Sequence, residues 1–326
     1  MQLPGFPFHI LWHVVWDMTR RCNLRCSYCP VNQDEPVRPG DTWDIAKAII
    51  GCPPEFLILT GGEPTLLDDL PDVLAAITSR RPHTKVILNT NGLRLKAMER
   101  ALPYVARLAI SLDSLDESNR KNRGIGPEQV TANIAELAKS DSVSSGKAQI
   151  CVAAVVTRDT LESIPRTIAG IKQIHPCIEL DFKPMLPYSD KRSPFCEPGL
   201  KARYFTMAET YRDSAYFYGT GRSKRLTTPF LCWAQFLKLD INVQGDILSC
   251  RHFNHSGDRL LPTPCPAPCD CTEYIDDILF SRTADELTAP GRYIFTHMRK
   301  QTLVQTERFI RCHIDREYRC RLLAHK

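Results

Sequence analysis

No stretch of the 326-residue chain approaches the ~18 consecutive apolar residues of a membrane-spanning helix. The opening, MQLPGFPFHILWHVVWDMTRR, has neither a basic n-region nor a small-residue cleavage site, so no secretory signal is visible. The expectation is a cytoplasmic protein without a membrane span. Charge of one sign is also scarce. The 42 Lys+Arg face 37 Asp+Glu, and a net +5 is too mild to argue for nucleic acid or an anionic membrane. No internal repeat or low-complexity tract is present, and 43% apolar with 24% charged residues excludes wholesale disorder. Cysteine, by contrast, is plentiful at fourteen. Without an export signal, structural disulfides are not expected, because the cytosol keeps thiols reduced. Thiols grouped at short spacing in that setting read as metal sites.

From residue 12 to about 218, strand-like and helix-like patterns alternate. Short runs dense in Val, Ile and Leu predict strands at Trp12–Asp17, Phe56–Thr60, Lys85–Asn89, Arg107–Asp113, Gln149–Thr157 and Ile178–Met185. Helical spacing links Leu70, Val73, Leu74 and Ile77, then Val130, Ile134 and Leu137, then Leu161, Ile164, Ile168 and Ile171. Six βα units imply a right-handed parallel α/β sheet, open or curled into a partial barrel. A linker, Lys191–Leu200, leads to a helix near Lys201–Tyr218. Phe236–Val243 and Asp246–Cys250 read as a β-hairpin turning at Gln244-Gly245, and LPTPCPAPCDC, with four prolines, as an irregular loop. The expected divisions are an N-terminal tail (1–11), the α/β unit (12–219), a small hairpin-and-loop unit (220–290) and a basic C-terminal helix (291–326). That last segment carries nine Lys+Arg against three Asp+Glu, most simply a solvated helix face.

Cys22, Cys26 and Cys29 follow the first strand as C-x₃-C-x₂-C. Three thiolates on so short a loop leave a metal centre one ligand short. A closed zinc site takes four ligands, whereas a [4Fe–4S] cluster on three cysteines keeps one iron open for reaction. A zinc knuckle with a distant fourth ligand is the competing reading of the spacing. The second strand closes in TGGEPTL, where two glycines allow close approach to a ligand and Glu63 offers a carboxylate to an ammonium group. The third ends in NTNG and the fourth in ISLDS, with Arg123 following in NRG. All these segments fall at the carboxyl edge of the sheet, where α/β proteins bind ligands.

With CNLRCSYC after the first strand, GGEP after the second and SLDS after the fourth, the segment Val15–Met185 resembles the radical S-adenosylmethionine (SAM) enzymes. The resemblance implies a partial (β/α)6 TIM-like barrel with Cys22, Cys26 and Cys29 on a [4Fe–4S] cluster whose open iron holds SAM. It places Tyr28 beside the adenine, Gly61, Gly62 and Glu63 at the methionine amine, and Ser111 and Arg123 at the carboxylate or ribose. Thr90, Asn91, Asp113 and Met185 are further SAM-contact candidates. It implies that a low-potential donor of the flavodoxin or ferredoxin type reduces the cluster, SAM breaks to a 5′-deoxyadenosyl radical, and that radical takes a substrate hydrogen atom.

Cys232 and Cys250 form C-x₁₂-G-x₄-C around the hairpin, followed by Cys265, Cys269 and Cys271. Five thiols are available where a closed cluster needs four. This resembles the twitch domain, or the first half of the SPASM extension, and implies an auxiliary [4Fe–4S] cluster; a zinc ribbon is the rival. Full SPASM's downstream cysteine block is missing. Cys312 and Cys320 are eight positions apart, about 12 Å on a helix, too far to share a metal. Cys52, Cys151 and Cys177 are expected in the core. His252 and His255 flank the second group as solvated or substrate-facing residues.

One auxiliary cluster suits oxidation of a small sugar- or cyclitol-like metabolite, with the cluster as electron acceptor. Asp181 and Lys183 alternate on the sixth strand and are candidate substrate-facing groups. Epimerisation or cross-linking of a ribosomal peptide is the alternative. Only about eleven residues precede the first strand, too few for a peptide-recognition domain, which tilts the expectation to the small molecule. A non-catalytic metal-binding or electron-transfer protein is a third possibility, and it predicts no SAM binding.

Overall fold

The computed structural model describes residues 13–29, 31, 33, 40–51, 53–54, 56–185, 198–217, 231–232, 238–245, 247–248 and 265–266. Six strands stand where the apolar runs predict them: β1 (His13–Thr19), β2 (Phe56–Gly61), β3 (Lys85–Thr90), β4 (Arg107–Ser111), β5 (Gln149–Val156) and β6 (Glu179–Pro184). Between them run α1 (Thr42–Gly51), α2 (Leu70–Arg80), α3 (Leu95–Ala101), α4 (Glu117–Arg123), α5 (Glu128–Leu137), α6 (Asp141–Ser144) and α7 (Ile164–Ile174). Each βα crossover returns the chain parallel to the strand before it, and β1 to β6 pair in sequence order.

The two faces of the sheet differ. One face carries Leu57, Leu59, Leu88, Leu108 and Ile110, buried with the helix stripes Leu70, Val73, Leu74 and Ile77 of α2 and Val130, Ile134 and Leu137 of α5. The other carries Val15, Ile58, Ile87, Ala109 and Ala153, which line a cavity instead of a packed interior. Cys151 is buried on β5, as expected of a core thiol. Cys177 is not core: it is exposed in the turn after α7, whose carbonyls at Pro176 and Ile178 are held by Lys172 Nζ at 3.0 and 2.8 Å.

Beyond β6 the structure departs from the sequence expectation. The helix expected near Lys201–Tyr218 is α8 (Pro198–Tyr211), and its last residues form instead a short strand, β7 (Tyr216–Phe217), parallel to β6. Aromatic β-propensity and packing explain the change. Phe217 stacks on Phe182 at 5.1 Å between centroids and meets Tyr204 of α8 edge-on at 5.7 Å. Tyr204 completes the unit by donating its hydroxyl to the Phe182 carbonyl at 2.9 Å.

The expected hairpin is present as β9 (Lys238–Ile241) and β10 (Ile247–Leu248), antiparallel, turning through Gly245 at φ 90°. It joins the main sheet: β9 lies parallel to β1, giving the order β10-β9-β1-β2-β3-β4-β5-β6-β7. Gly40 N–H donates to the Val243 carbonyl at 2.8 Å, fixing the turn beside the start of α1. The architecture is therefore an open α/β sheet of the partial-barrel kind. A separate pair, β8 (Leu231–Cys232) with β11 (Cys265–Pro266), is antiparallel. The N-terminal tail, Cys52, Cys196, Cys250, His252, His255, Cys269, Cys271 and the basic segment 291–326 lie outside the described residues, as does most of the expected linker.

Phe217→Ala is expected to cost about 3 kcal/mol, the usual price of emptying a buried aromatic site. A urea midpoint displaced by less than a third of that would show that β7 is not part of the cooperative core.

Candidate active site at the carboxyl rim of the sheet

The cysteine loop leaves β1 through an irregularity in register. Asp17 pairs with Thr60, but Thr19, two residues on, pairs with Gly61, a bulge that bends the strand toward the rim. The loop is then stitched by its own backbone and by neighbours. Cys29 N–H donates to the Cys26 carbonyl at 3.1 Å, Ser27 N–H to the Asn122 carbonyl at 2.8 Å, and Gln33 Nε2 to the Leu24 carbonyl at 2.7 Å.

Gly61 and Gly62 line the cavity, but the closest demand on them comes from the chain itself. A Cβ at Gly61 would run into the Thr19 carbonyl, and one at Gly62 into the carbonyls of Arg20 and Arg21. Gly61 also adopts φ 123°, which side-chain-bearing residues avoid. The two glycines thus seat the exit of β1 against β2 as well as bordering the cavity. Glu63 N–H donates to the Arg21 carbonyl at 2.8 Å and locks the two segments together.

Glu63 is 1% exposed. Its Oε1 accepts from Thr65 N–H (3.0 Å), Thr65 Oγ1 (2.6 Å) and Thr90 Oγ1 (2.7 Å), and its Oε2 from Asn91 N–H (2.6 Å). Every donor is neutral, and among the described residues no Lys or Arg forms an ion pair with this carboxylate. Asn91 continues the network, donating Nδ2 to Asn23 Oδ1 at 2.6 Å and lying 3.9 Å from the Cys22 sulfur. Leu24 N–H also donates to that sulfur, at 3.4 Å. Sequence reasoning named Thr90 and Asn91 but missed Asn23 and Thr65; the motifs contain both, CNLRC and GGEPT, and only the fold pairs them.

Across the loop, Tyr28 donates its hydroxyl to Asp113 Oδ2 at 2.7 Å. Arg123 Nη2 donates to Asp113 Oδ1 at 2.7 Å, and Val155 N–H to the same oxygen at 3.0 Å. The Arg123 guanidinium lies 5.7 Å from the centroid of the Tyr28 ring. Tyr28, Ser111 and Arg123 line the cavity; Asp113 stands behind its wall, and Met185, at the end of β6, is not among the lining residues. Burial pushes the Tyr28 hydroxyl up. Burial would depress Arg123, but the adjoining Asp113 carboxylate overrides this and holds the guanidinium charged. Burial also raises Cys22, and pushes Cys26 up to about 11, with Arg123 opposing and Cys29, Asp113 and Cys22 adding to the rise. A thiolate at Cys26 therefore needs a strong positive partner, which a metal centre supplies.

The cavity, about 1090 Å³, extends from this rim along the concave face of the sheet. Glu179, Asp181 and Lys183 succeed one another on the inner face of β6, as the alternation predicts. Arg107 of β4 reaches over β5 to both carboxylates, 2.7 Å to Glu179 and 3.0 Å to Asp181. Asp181 is thus engaged in an ion pair on the cavity wall. Of the second cysteine group, Cys232 and Cys265 are register partners in the β8–β11 pair.

The geometry defines a three-thiol loop and a buried carboxylate on the carboxyl rim of an open α/β sheet, and the comparisons with known proteins agree. Residues 16–168 match the family described as the Radical SAM superfamily. The match takes in a little under half of the chain, and the family it describes implies SAM and a [4Fe–4S] cluster. The chain is 35% identical over 123 residues to Fe-coproporphyrin III synthase of Methanosarcina barkeri, covering 34% of this chain and 30% of that protein. It is 40% identical over 107 residues to GTP 3',8-cyclase of Geobacter sulfurreducens, covering 30% and 33% respectively. The matches thus span about a third of these curated relatives. In fold it is similar to SuiB of Streptococcus suis bound to S-adenosylmethionine, with TM-score 0.60, 20% identity, and coverage of 78% of this chain and 63% of that one. It is also similar to anSMEcpe with bound AdoMet and Cp18Cys peptide, with TM-score 0.55, 17% identity, and coverage of 93% and 83%. Among the described residues, no helix is long and apolar enough to cross a membrane.

The donor set fits the implied group. Cys22, Cys26 and Cys29 are unbridged, partly exposed and border the cavity. A [4Fe–4S] cluster takes each thiolate on a separate iron, and three cysteines leave its fourth iron open.

Gly62→Ala is expected to cost about 1–3 kcal/mol, as overpacking usually does, and to lower the iron held by the loop. Thermal unfolding and an iron assay after anaerobic reconstitution measure both; full iron retention with unchanged stability would contradict the tight backbone approach.

Proposed function

We propose that the chain is a radical SAM enzyme in which Cys22, Cys26 and Cys29 ligate the reactive cluster and Glu63 receives the methionine ammonium of SAM. The observation that carries this reading is the Glu63 site. A carboxylate buried among four neutral donors, on the cavity wall and beside the cysteine loop, lacks a described cation and retains a lone pair on Oε2. An ammonium group supplies what is missing. Arg123 and Ser111, on the same wall, serve the carboxylate or ribose, and Tyr28 borders the adenine. When bound and reduced, the cluster and SAM supply a 5′-deoxyadenosyl radical able to remove a substrate hydrogen atom. The chain's own residues fix the cofactor, shape the concave face and exclude water.

For the substrate, the polar wall of Arg107, Glu179, Asp181 and Lys183 supports a small hydrogen-bonding metabolite of sugar or cyclitol type, oxidised with an auxiliary [4Fe–4S] cluster as acceptor. That cluster uses four of Cys232, Cys250, Cys265, Cys269 and Cys271. The register pairing of Cys232 with Cys265 supports a shared site for those two. A second reading, peptide maturation, draws support from the solved structures of similar fold, which were bound to the precursor peptide SuiA and to the Cp18Cys peptide. A flavodoxin- or ferredoxin-type protein is the proposed electron donor.

Anaerobic reconstitution followed by dithionite and SAM should yield 5′-deoxyadenosine and methionine; neither product from a demonstrably loaded protein would sink the reading. Glu63→Gln should weaken SAM binding about tenfold, since an ammonium–carboxylate bond is worth ~1.5 kcal/mol or more. The variant with Cys22, Cys26 and Cys29 all changed to Ala should keep about four irons per chain on the auxiliary site, and zero would remove that site. A short precursor-peptide gene beside this one would decide for the peptide.

A further inference from the structure

Asp113 is gripped by groups from three separate segments of the chain. Its side chain is 0% exposed and that of Arg123 is 7% exposed, so the pair is shut away from solvent. Both Asp113 oxygens are engaged, one by the Tyr28 hydroxyl and the other by Arg123 and the Val155 N–H. Tyr28 sits between Cys26 and Cys29 in sequence, with only Ser27 separating it from Cys26, so its phenol is a strut from the cysteine loop to the end of β4. Arg123 borders the same cavity as the three cysteines and lies 5.7 Å from the centroid of the Tyr28 ring. Its Nε is buried without a partner, so the guanidinium keeps a donor beyond those Asp113 uses.

We propose that Asp113 is a positioning residue for the reactive cluster, latching the cysteine loop through Tyr28 and offsetting the buried charge of Arg123 so as to hold the cluster's reduction potential down. This rests on the radical SAM reading of the loop. An uncompensated cation beside three thiolates would stabilise the reduced, more negative cluster; the carboxylate cancels most of that field at low dielectric. The hydrogen-bonded phenol keeps the loop in register while the open iron exchanges its ligand. Asp113 itself touches neither the cavity nor the reacting atoms.

The test is a redox titration of the reconstituted full chain, following the electron paramagnetic resonance signal that SAM perturbs. Asp113→Asn keeps the shape and removes the charge. The expected result is a higher midpoint, with the reduction equilibrium shifted at least tenfold, or 59 mV for one electron. In Asp113→Asn/Arg123→Gln, where both charges are gone, the midpoint should return toward the wild-type value, which a purely structural defect would not produce. An unmoved or lowered midpoint in the single variant overturns the proposal. Tyr28→Phe, which adds no bulk and covers the case in which Asp113→Asn does not fold, should leave the midpoint in place and speed loss of loop iron to a chelator severalfold. An unchanged rate overturns the latch. If the wild-type chain gives no SAM-perturbed signal, the radical SAM reading itself fails and the proposal falls with it; a normal wild-type signal with unmoved variants condemns the proposal alone.

Discussion

The rim is organised by one close approach of two backbones, the exit of β1 lying on the end of β2 with no room for a Cβ at Gly61 or Gly62. That approach sets where Glu63 begins, and Glu63 then draws the end of β3 inward through Thr90 and Asn91. Asn91 returns to the cysteine loop at Asn23 and Cys22. The circuit closes on itself: backbone, carboxylate, strand end, loop. Each member has its position fixed by the previous one, so the three thiols inherit their placement from two glycines with no metal chemistry of their own. A side chain at either glycine would act first on geometry and only then on ligand binding.

Much of this was readable in the residues. Runs such as Phe56–Thr60 and Lys85–Asn89 are dense in branched apolar side chains and bounded by polar turns, so the strands are encoded locally. The stripes on α2, α5 and α7 are equally local. What stayed hidden depends on partners far away in sequence. In TGGEPTL the glycines read as room for a ligand, and nothing there announces that the chain's own Arg21 also lies against Gly62. Nothing in SLDS announces that Asp113 will hold Tyr28 and Arg123, which only the fold brings to it. Arg107 meets Glu179 and Asp181 only because the sheet order sets β4 and β6 on either side of β5. Tyr216 and Phe217 continue a helical pattern until β6 offers an edge and Phe182 a ring to stack upon.

The concave face also separates this fold from a closed barrel. Closed (β/α)₈ barrels fill their interiors with branched side chains in layers. Here Ala109 and Ala153 stand at inner positions and a cavity of about 1090 Å³ occupies the space. Along the concave face the bordering groups project from strands, whose hydrogen-bonded backbones hold them more firmly than loops would. Polarity is distributed accordingly: thiols and Glu63 at the carboxyl rim, an apolar waist of Val15, Ile58 and Ile87, then the ion-paired carboxylates of β6.

The pairing of β9 with β1 carries a consequence for how the molecule is made. The strand that launches the cysteine loop is flanked on one side by β2 and on the other by residues more than two hundred positions downstream, His13 matching Lys238. During synthesis that flank is an open edge, with a row of unsatisfied backbone groups beside three thiols, until the hairpin emerges from the ribosome. Loop and hairpin therefore mature as a unit joined by the longest-range pairing described in the sheet. Loading of iron into the nascent chain, before the hairpin arrives, would act on a strand still missing one of its neighbours.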